Sequence, residues 1–176
     1  YYEGKGTLKN IKLAEKWWLK SFNMEDEANA MNYLGLLYIG KKDLLKEKEW
    51  FKKAADKGNM WAMVNLGSFY EDYTQYRDVK KAKYWYEKGE AAGHPAASAC
   101  LGNLYNYGEG VETDLEKAVQ LYKKSADLGN DFGMVCLGSM YLNGRGVERD
   151  VKKAKKLYEK AAEIGNEEAK AKLEKM

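Results

Sequence analysis

One histidine, two cysteines and 27 acidic residues are the usual metal ligands and proton carriers of this 176-residue chain. A single histidine, His94, leaves no histidine-based metal site and no array of proton relays. Its place between Gly93 and Pro95 reads as a turn, with a capping or surface role. Cys100 and Cys136 are by themselves too few ligands for zinc. Each stands immediately before a Leu-Gly pair, in the same column of a repeat set out below. Equivalent positions in neighbouring repeats lie about 10 Å apart, beyond the ~7 Å between Cα atoms that a disulfide tolerates, so two thiols are expected. Carboxylates are plentiful, but they fall on charged faces where any two are neighbours, and nothing marks one pair as buried.

Two kinds of glycine-rich stretch invite a phosphate reading. GEGVET and GRGVER share the opening of a dinucleotide fingerprint, yet the third Gly is missing and a helical pattern, not a strand, precedes them. GLLYIGKK has the outline of a phosphate loop, but Lys42 stands where Ser or Thr must hold Mg²⁺, and the segment lies inside a helical pattern. No Ser is followed three residues later by Lys, so the serine β-lactamase signature is absent. No catalytic residue, metal or cofactor is assigned, and the chain is expected not to be an enzyme.

Thirty basic residues against 27 acidic ones leave a net charge of +3, with the signs mixed along the chain rather than gathered into blocks. That pattern carries no nucleic-acid footprint. The most basic stretch, KKDLLKEKEWFKKAADK, also holds Asp43, Glu47, Glu49 and Asp56, and reads as a solvated helix face. No apolar run approaches the roughly 18 residues of a membrane span, so membrane insertion is not expected.

The elements that must position these residues repeat. Leu-Gly recurs at Leu34-Gly35, Leu66-Gly67, Leu101-Gly102 and Leu137-Gly138, and a Gly eight residues before the Leu recurs at Gly58, Gly93 and Gly129, then at Gly165 before Leu173. In each unit a first segment places apolar or small residues at i, i+4, i+7 and i+8, as in Gly133, Leu137, Met140 and Tyr141. That spacing is one stripe of a helix. A second segment has the same period, as in Leu115, Ala118, Leu121, Tyr122, Ser125 and Ala126. Asp78, Asp114 and Asp150 stand where the second helix begins and suit N-caps. Gly58, Gly93, Gly129 and Gly165 stand where it ends and suit the left-handed C′ position. Asn59, Asn130 and Asn166 follow and suit caps of the next first helix. The chain is a row of helical hairpins.

The pattern A…LG.LY..G.GV..D..KA..LY.KAA..GN in residues 97–166 resembles the Sel-one-like repeat, a relative of the tetratricopeptide repeat. The resemblance implies an all-α, right-handed α-α superhelix, a solenoid of helix-turn-helix repeats whose first helices line the inner surface. Earlier copies depart from the pattern. The loop after Tyr38 is about four residues short, EDYTQYRD lacks both loop glycines, and Gly89-Glu90 replaces Ala-Ala, which should weaken its helix by about 1 kcal/mol. Some cysteine-rich bacterial relatives are exported and described as penicillin-binding or β-lactamase-like, with a disulfide in each hairpin; this chain has no such cysteine pairs.

The expected organisation is a single solenoid over 1–176, with a partial repeat at 1–25, full repeats at 26–58, 59–93, 94–129 and 130–165, and a capping helix at 166–176. The start, YYEGKGTLKNIKLAEKWW, aligns with the end of a first helix and a whole second helix bearing Ile11, Ala14, Trp17 and Trp18. The chain is therefore expected to be a fragment of a longer array or a trimmed form of one. The charged end EEAKAKLEKM reads as a natural terminal cap.

Beside the core stripe of the first helix runs a second stripe, five and one residues before the Leu and two and six after it. Its columns read Trp61, Ala96, Phe132; Tyr33, Asn65, Cys100, Cys136; Leu36, Ser68, Asn103, Ser139; and Asp72, Tyr107, Asn143. Aromatics among Asn and Ser supply area to bury, with donors and acceptors for a peptide backbone. The predicted partner-binding face is Tyr33, Leu36, Trp61, Asn65, Ser68, Cys100, Asn103, Tyr107, Phe132, Cys136, Ser139 and Asn143. The competing role for Trp61 and Phe132 is to seal contacts between hairpins.

The expected function is a protein-protein interaction scaffold that holds a protein or peptide partner in a concave groove lined by the first helix of each repeat. The alternative is a cell-wall-related or β-lactamase-like enzyme or carbohydrate-binding module, which a glycan in the groove or hydrolysis of a β-lactam reporter would reveal. A third is a structural array inside a larger regulatory protein. Thiols suit a reducing cytosol and are compatible with export, so no compartment is assigned.

Overall fold

The computed structural model describes Lys16 and residues 27–176. The expected partial repeat with Ile11, Ala14, Trp17 and Trp18 lies outside the described residues. The chain divides into two compact units, residues 1–77 and 78–176. In the first, α1 (Glu27–Gly40) and α2 (Leu44–Asp56) form a hairpin, α3 (Met60–Asp72) packs on α2 and touches α1, and a 3₁₀ turn follows at Thr74–Tyr76. In the second, α4 (Val79–Ala91) packs on α5 (Pro95–Tyr107). The hairpins α5–α6 (Leu115–Asp127) and α7 (Asp131–Asn143)–α8 (Val151–Glu163) stack, with α5 directly against α7, and α9 (Glu167–Leu173) lies on α8. The described residues contain no strand.

Helix bounds follow from capping chemistry. Asp43, Asp78, Asp114 and Asp150 each accept a hydrogen bond from the backbone N–H three residues on, at 3.2, 3.1, 2.9 and 2.9 Å. Such a bond satisfies one of the orphan donors of a helix start. Gly58, Gly93, Gly129 and Gly165 have φ of 87°, 84°, 84° and 99°, a conformation that a Cβ would penalise.

The recurring Leu-Gly pair acquires a reason in the packing. In three of the four pairs the Gly is where an aromatic ring of the second helix lies on the backbone of the first: Gly35 under Phe51, Gly102 under Tyr122 and Gly138 under Tyr158. A Cβ on Gly138 would stand 2.7 Å from Tyr158 Cε1. All three rings are fully buried, each contributing roughly 1.5–3 kcal/mol by transfer from water. Around Tyr122 gather Ala99, Ala118, Ala126, Leu137 and Met140; around Tyr158, Val135, Ala154, Ala161 and Ala169. The expected core stripes are buried or half-buried, with Val151 on the first turn of α8 exposed.

The departures of the earlier copies are local. In the short loop after α1, Lys42 takes the left-handed conformation at φ 55° that a glycine takes elsewhere. EDYTQYRD replaces its missing glycines with the 3₁₀ turn, whose Tyr73 and Tyr76 rings pack 4.9 and 5.3 Å from Phe69. Helix α4 runs unbroken through Gly89.

Two residues differ from expectation. Glu47, read as part of a solvated face, is 2% exposed because it is on the side of α2 that packs within the unit; it accepts a hydrogen bond from the Tyr73 hydroxyl at 3.2 Å. Burial pushes its pKa above the usual carboxylate value, with the Tyr73 bond opposing. His94, read as a surface or capping residue, occupies the N-cap position of α5 but is buried and makes no side-chain cap bond. A rigid imidazole lacks the short carbonyl arm with which Asn reaches the N3 amide.

Candidate interaction face

The predicted face is carried by α1, α3, α5 and α7, and its columns are graded by depth. Trp61, Phe132, Tyr107 and Asn143, from the outer two columns, are exposed. Leu36, Asn65, Ser68, Cys100, Asn103, Cys136 and Ser139, from the inner two, are half-buried, and Tyr33 alone among those inner positions is exposed. In each unit taken by itself, exposed aromatics thus accompany half-buried polar residues.

In the second unit these columns converge. Asn103 and Tyr107 on α5 and Phe132, Cys136, Ser139 and Asn143 on α7 line a trough of about 410 Å³. Six of the twelve predicted residues therefore meet around one cavity. Cys100 is not in its lining. Tyr33, Leu36, Trp61, Asn65 and Ser68 belong to the first unit, where Asn65 Nδ2 donates to Asn32 Oδ1 at 3.0 Å and so ties α3 to α1.

The trough also contains residues that the linear pattern missed: Asn106 on α5, Tyr122 on α6, Arg145 in the loop after α7, and Glu168 and Lys172 on α9. Asn106 stands three residues after Asn103, a spacing that already places both on one helical face. Arg145 arrives through Gly144, which ends α7 in the left-handed conformation at φ 66°, after which the Arg145 N–H bonds Met140 O at 3.1 Å. No sequence signal joins that loop to α9.

The floor is held from below. The Tyr122 hydroxyl donates to Asn103 Oδ1 at 2.7 Å, and the Tyr158 hydroxyl lies 3.0 Å from Ser139 Oγ. The same column of the first helix thus meets the same tyrosine of the second helix in consecutive hairpins. In the repeat whose aromatic is Phe51, which has no hydroxyl to satisfy, that column holds Leu36. Part of the polar character of the floor therefore serves the core. Asn143 Nδ2 donates to Ser139 O at 2.9 Å. Lys172 and Glu168 pair at 3.3 Å, and Arg145 Nη2 makes one long hydrogen bond of 3.5 Å to Asn106 O.

Burial raises the Tyr122 pKa, with the Asn106 side chain and the Arg145 charge opposing. The Cys136 thiol is pushed up to about 12, first by burial and then by Glu168 and Cys100, with Lys172 opposing. Both groups are neutral near pH 7, so neither serves as a ready nucleophile. Cys100 and Cys136 form no disulfide. Among the described residues no cluster of His, Cys, Asp and Glu could hold a metal, and no helix is long and apolar enough to cross a membrane.

Helix-turn-helix repeats stacked by matching columns, with no strand among the described residues, define an all-α, right-handed α-α superhelix of the solenoid class. The Sel1 repeat profile matches residues 1–26, 28–59, 62–94, 96–130 and 134–166, and the chain belongs to the Sel1 repeat family. Among solved structures, a Sel1 repeat protein from Oxalobacter formigenes is similar, with 28% identity and a TM-score of 0.85 over 92% of this chain and 66% of that one. The antigen c5321 of uropathogenic Escherichia coli, described as protective and as displaying an SLR fold, shares 32% identity with a TM-score of 0.74 over 94% of this chain and 35% of that one. Cysteine rich protein B of Helicobacter pylori shares 30% identity with a TM-score of 0.60 over 74% of this chain and 95% of that one. The chain thus spans less than two thirds of the length of the first two. No match was found among curated proteins. Sel1 repeats are in general protein-interaction scaffolds, and their solenoids are in general non-catalytic.

Proposed function

We propose that this chain is a non-catalytic scaffold that holds a protein or peptide partner on the face presented by the first helices of its repeats. The observation that carries this reading is the trough of the second unit, where Tyr107, 63% exposed, and Phe132, 38% exposed, stand beside a half-buried floor of amides and hydroxyls. Exposed aromatics supply apolar area at a low cost in side-chain entropy, and the polar floor meets a peptide backbone. Because that floor is fastened to buried tyrosines, it is formed before a partner arrives, which lowers the ordering cost of association. The neutral Cys136 thiol and Tyr122 phenol support the absence of catalysis.

A photo-crosslinking residue placed at Phe132, in cells that express the protein natively, tests this. A discrete protein adduct is expected from position 132 and not from position 151, an exposed site on the second helix α8. Equal adducts from the two positions, or none from either, would remove the reading.

A further inference from the structure

The trough of the second unit contains groups whose bonding capacity its own residues do not use. Asn106 is 6% exposed, and its Oδ1 has no hydrogen-bond partner among the described residues. A buried carbonyl oxygen left unmet is costly, and such an atom calls for a donor from water, an ion or another molecule. Arg145 has one hydrogen bond, long at 3.5 Å, and no ion pair among the described residues. Lys172 and Glu168 cancel each other at 3.3 Å, which leaves the guanidinium as the net charge of the cavity. The Cys136 thiol, held neutral by burial, adds no opposing charge.

These groups sit close together, since the bond from Arg145 ends on the backbone oxygen of the same Asn106. The trough therefore offers a planar cationic fork beside a buried acceptor, in a lining shared with Tyr107 and Phe132. The fork matches a carboxylate bidentately, and the acceptor requires an N–H a few ångströms away, a pairing found within one acidic residue of a peptide. Apart from Tyr122 on α6 and Arg145 in the loop after α7, its lining comes from consecutive first helices, α5, α7 and α9. A chain lying across them presents side chains to the trough rather than an end.

We propose that this trough is a subsite for an internal acidic residue of an extended peptide, whose carboxylate is held by Arg145 while a backbone N–H of the same peptide donates to Asn106 Oδ1. The proposal rests on the reading of this face as a partner surface. The Asn103 amide and the rims then fix the neighbouring backbone.

Three pools of fluorescent peptides, randomised except at the centre, test it by anisotropy on the purified chain. One has central Asp and blocked ends, one central Asn and blocked ends, and one central Asn with a free C-terminal carboxylate. The Asp pool should bind about tenfold tighter than the blocked Asn pool, and salt should shrink the preference. Arg145 is exposed, so Arg145→Gln should keep helicity and Tm while reducing the preference to within about twofold. Asn106→Ala should weaken both blocked pools alike. Equal binding of the two blocked pools, an Asp preference that survives Arg145→Gln, or tightest binding by the free-carboxylate pool would overturn the acidic subsite and leave the scaffold reading standing. Binding by no pool at all would count against both.

Discussion

Asn59, His94, Asn130 and Asn166 hold the same place at the start of a first helix, and three of them do the same thing. Their Oδ1 atoms accept from the N–H three residues on, at 2.8, 2.8 and 2.9 Å for Asn59, Asn130 and Asn166. His94 makes no such bond, and burial holds its pKa below 6.5. The folded chain keeps the imidazole neutral where the unfolded chain would protonate it. Below about pH 6.5 the unfolded state binds more protons, so this residue's contribution to stability falls as the solution is acidified. His94→Asn should restore the cap and raise stability by about 1 kcal/mol near neutrality. Its advantage should then widen by at most about 1.4 kcal/mol per pH unit toward pH 5. Urea unfolding of both proteins across that range checks this, and a difference that stays constant with pH would mean that His94 does not titrate there.

At the scale of the helix, the Leu-Gly pair shows how much of the fold was legible. Its spacing marks the repeat, and its Leu marks the core stripe, because a helix brings i, i+4 and i+7 onto one side without help from the rest of the chain. The purpose of the Gly was not legible. It depends on which ring of the second helix swings over it, and Phe51, Tyr122 and Tyr158 are known to do so only from the packed hairpins. Gly138→Ala should therefore destabilise the protein by about 1–3 kcal/mol through overpacking against Tyr158. Replacing Tyr158 with Leu in the same chain should recover part of that loss, so a double-mutant cycle measured by thermal unfolding should show strong coupling. Simple additivity would mean that the ring is not what requires the Gly.

At the scale of the molecule, stacking predicts where stability lies. Each hairpin of the second unit buries its aromatic column against its neighbours, but α9 is a single short helix whose one buried residue is Ala169. Helices that bury many residues open only with their neighbours, whereas one that buries a single residue opens more readily. Amide hydrogen exchange should be fastest in α9 and slowest in α6 and α7, and uniform protection across the unit would contradict that gradient.

Helix order, the Asp and Asn caps and the core stripes could be read from the linear chain, because each depends on residues within a few turns of one another. The gathering of Asn103, Tyr107, Phe132, Cys136, Ser139 and Asn143 around one cavity follows from repeated columns, and it too was within reach. The charge of that cavity was not. Asn106, Arg145 and Lys172 come from a helix, a loop and a terminal segment with no shared period, and only packing decides that one carbonyl oxygen stays unmet, one guanidinium stays without a carboxylate and one lysine is neutralised by Glu168. Periodicity reports which side of a helix faces inward, whereas electrostatic balance is set by what distant segments bring to the same few ångströms.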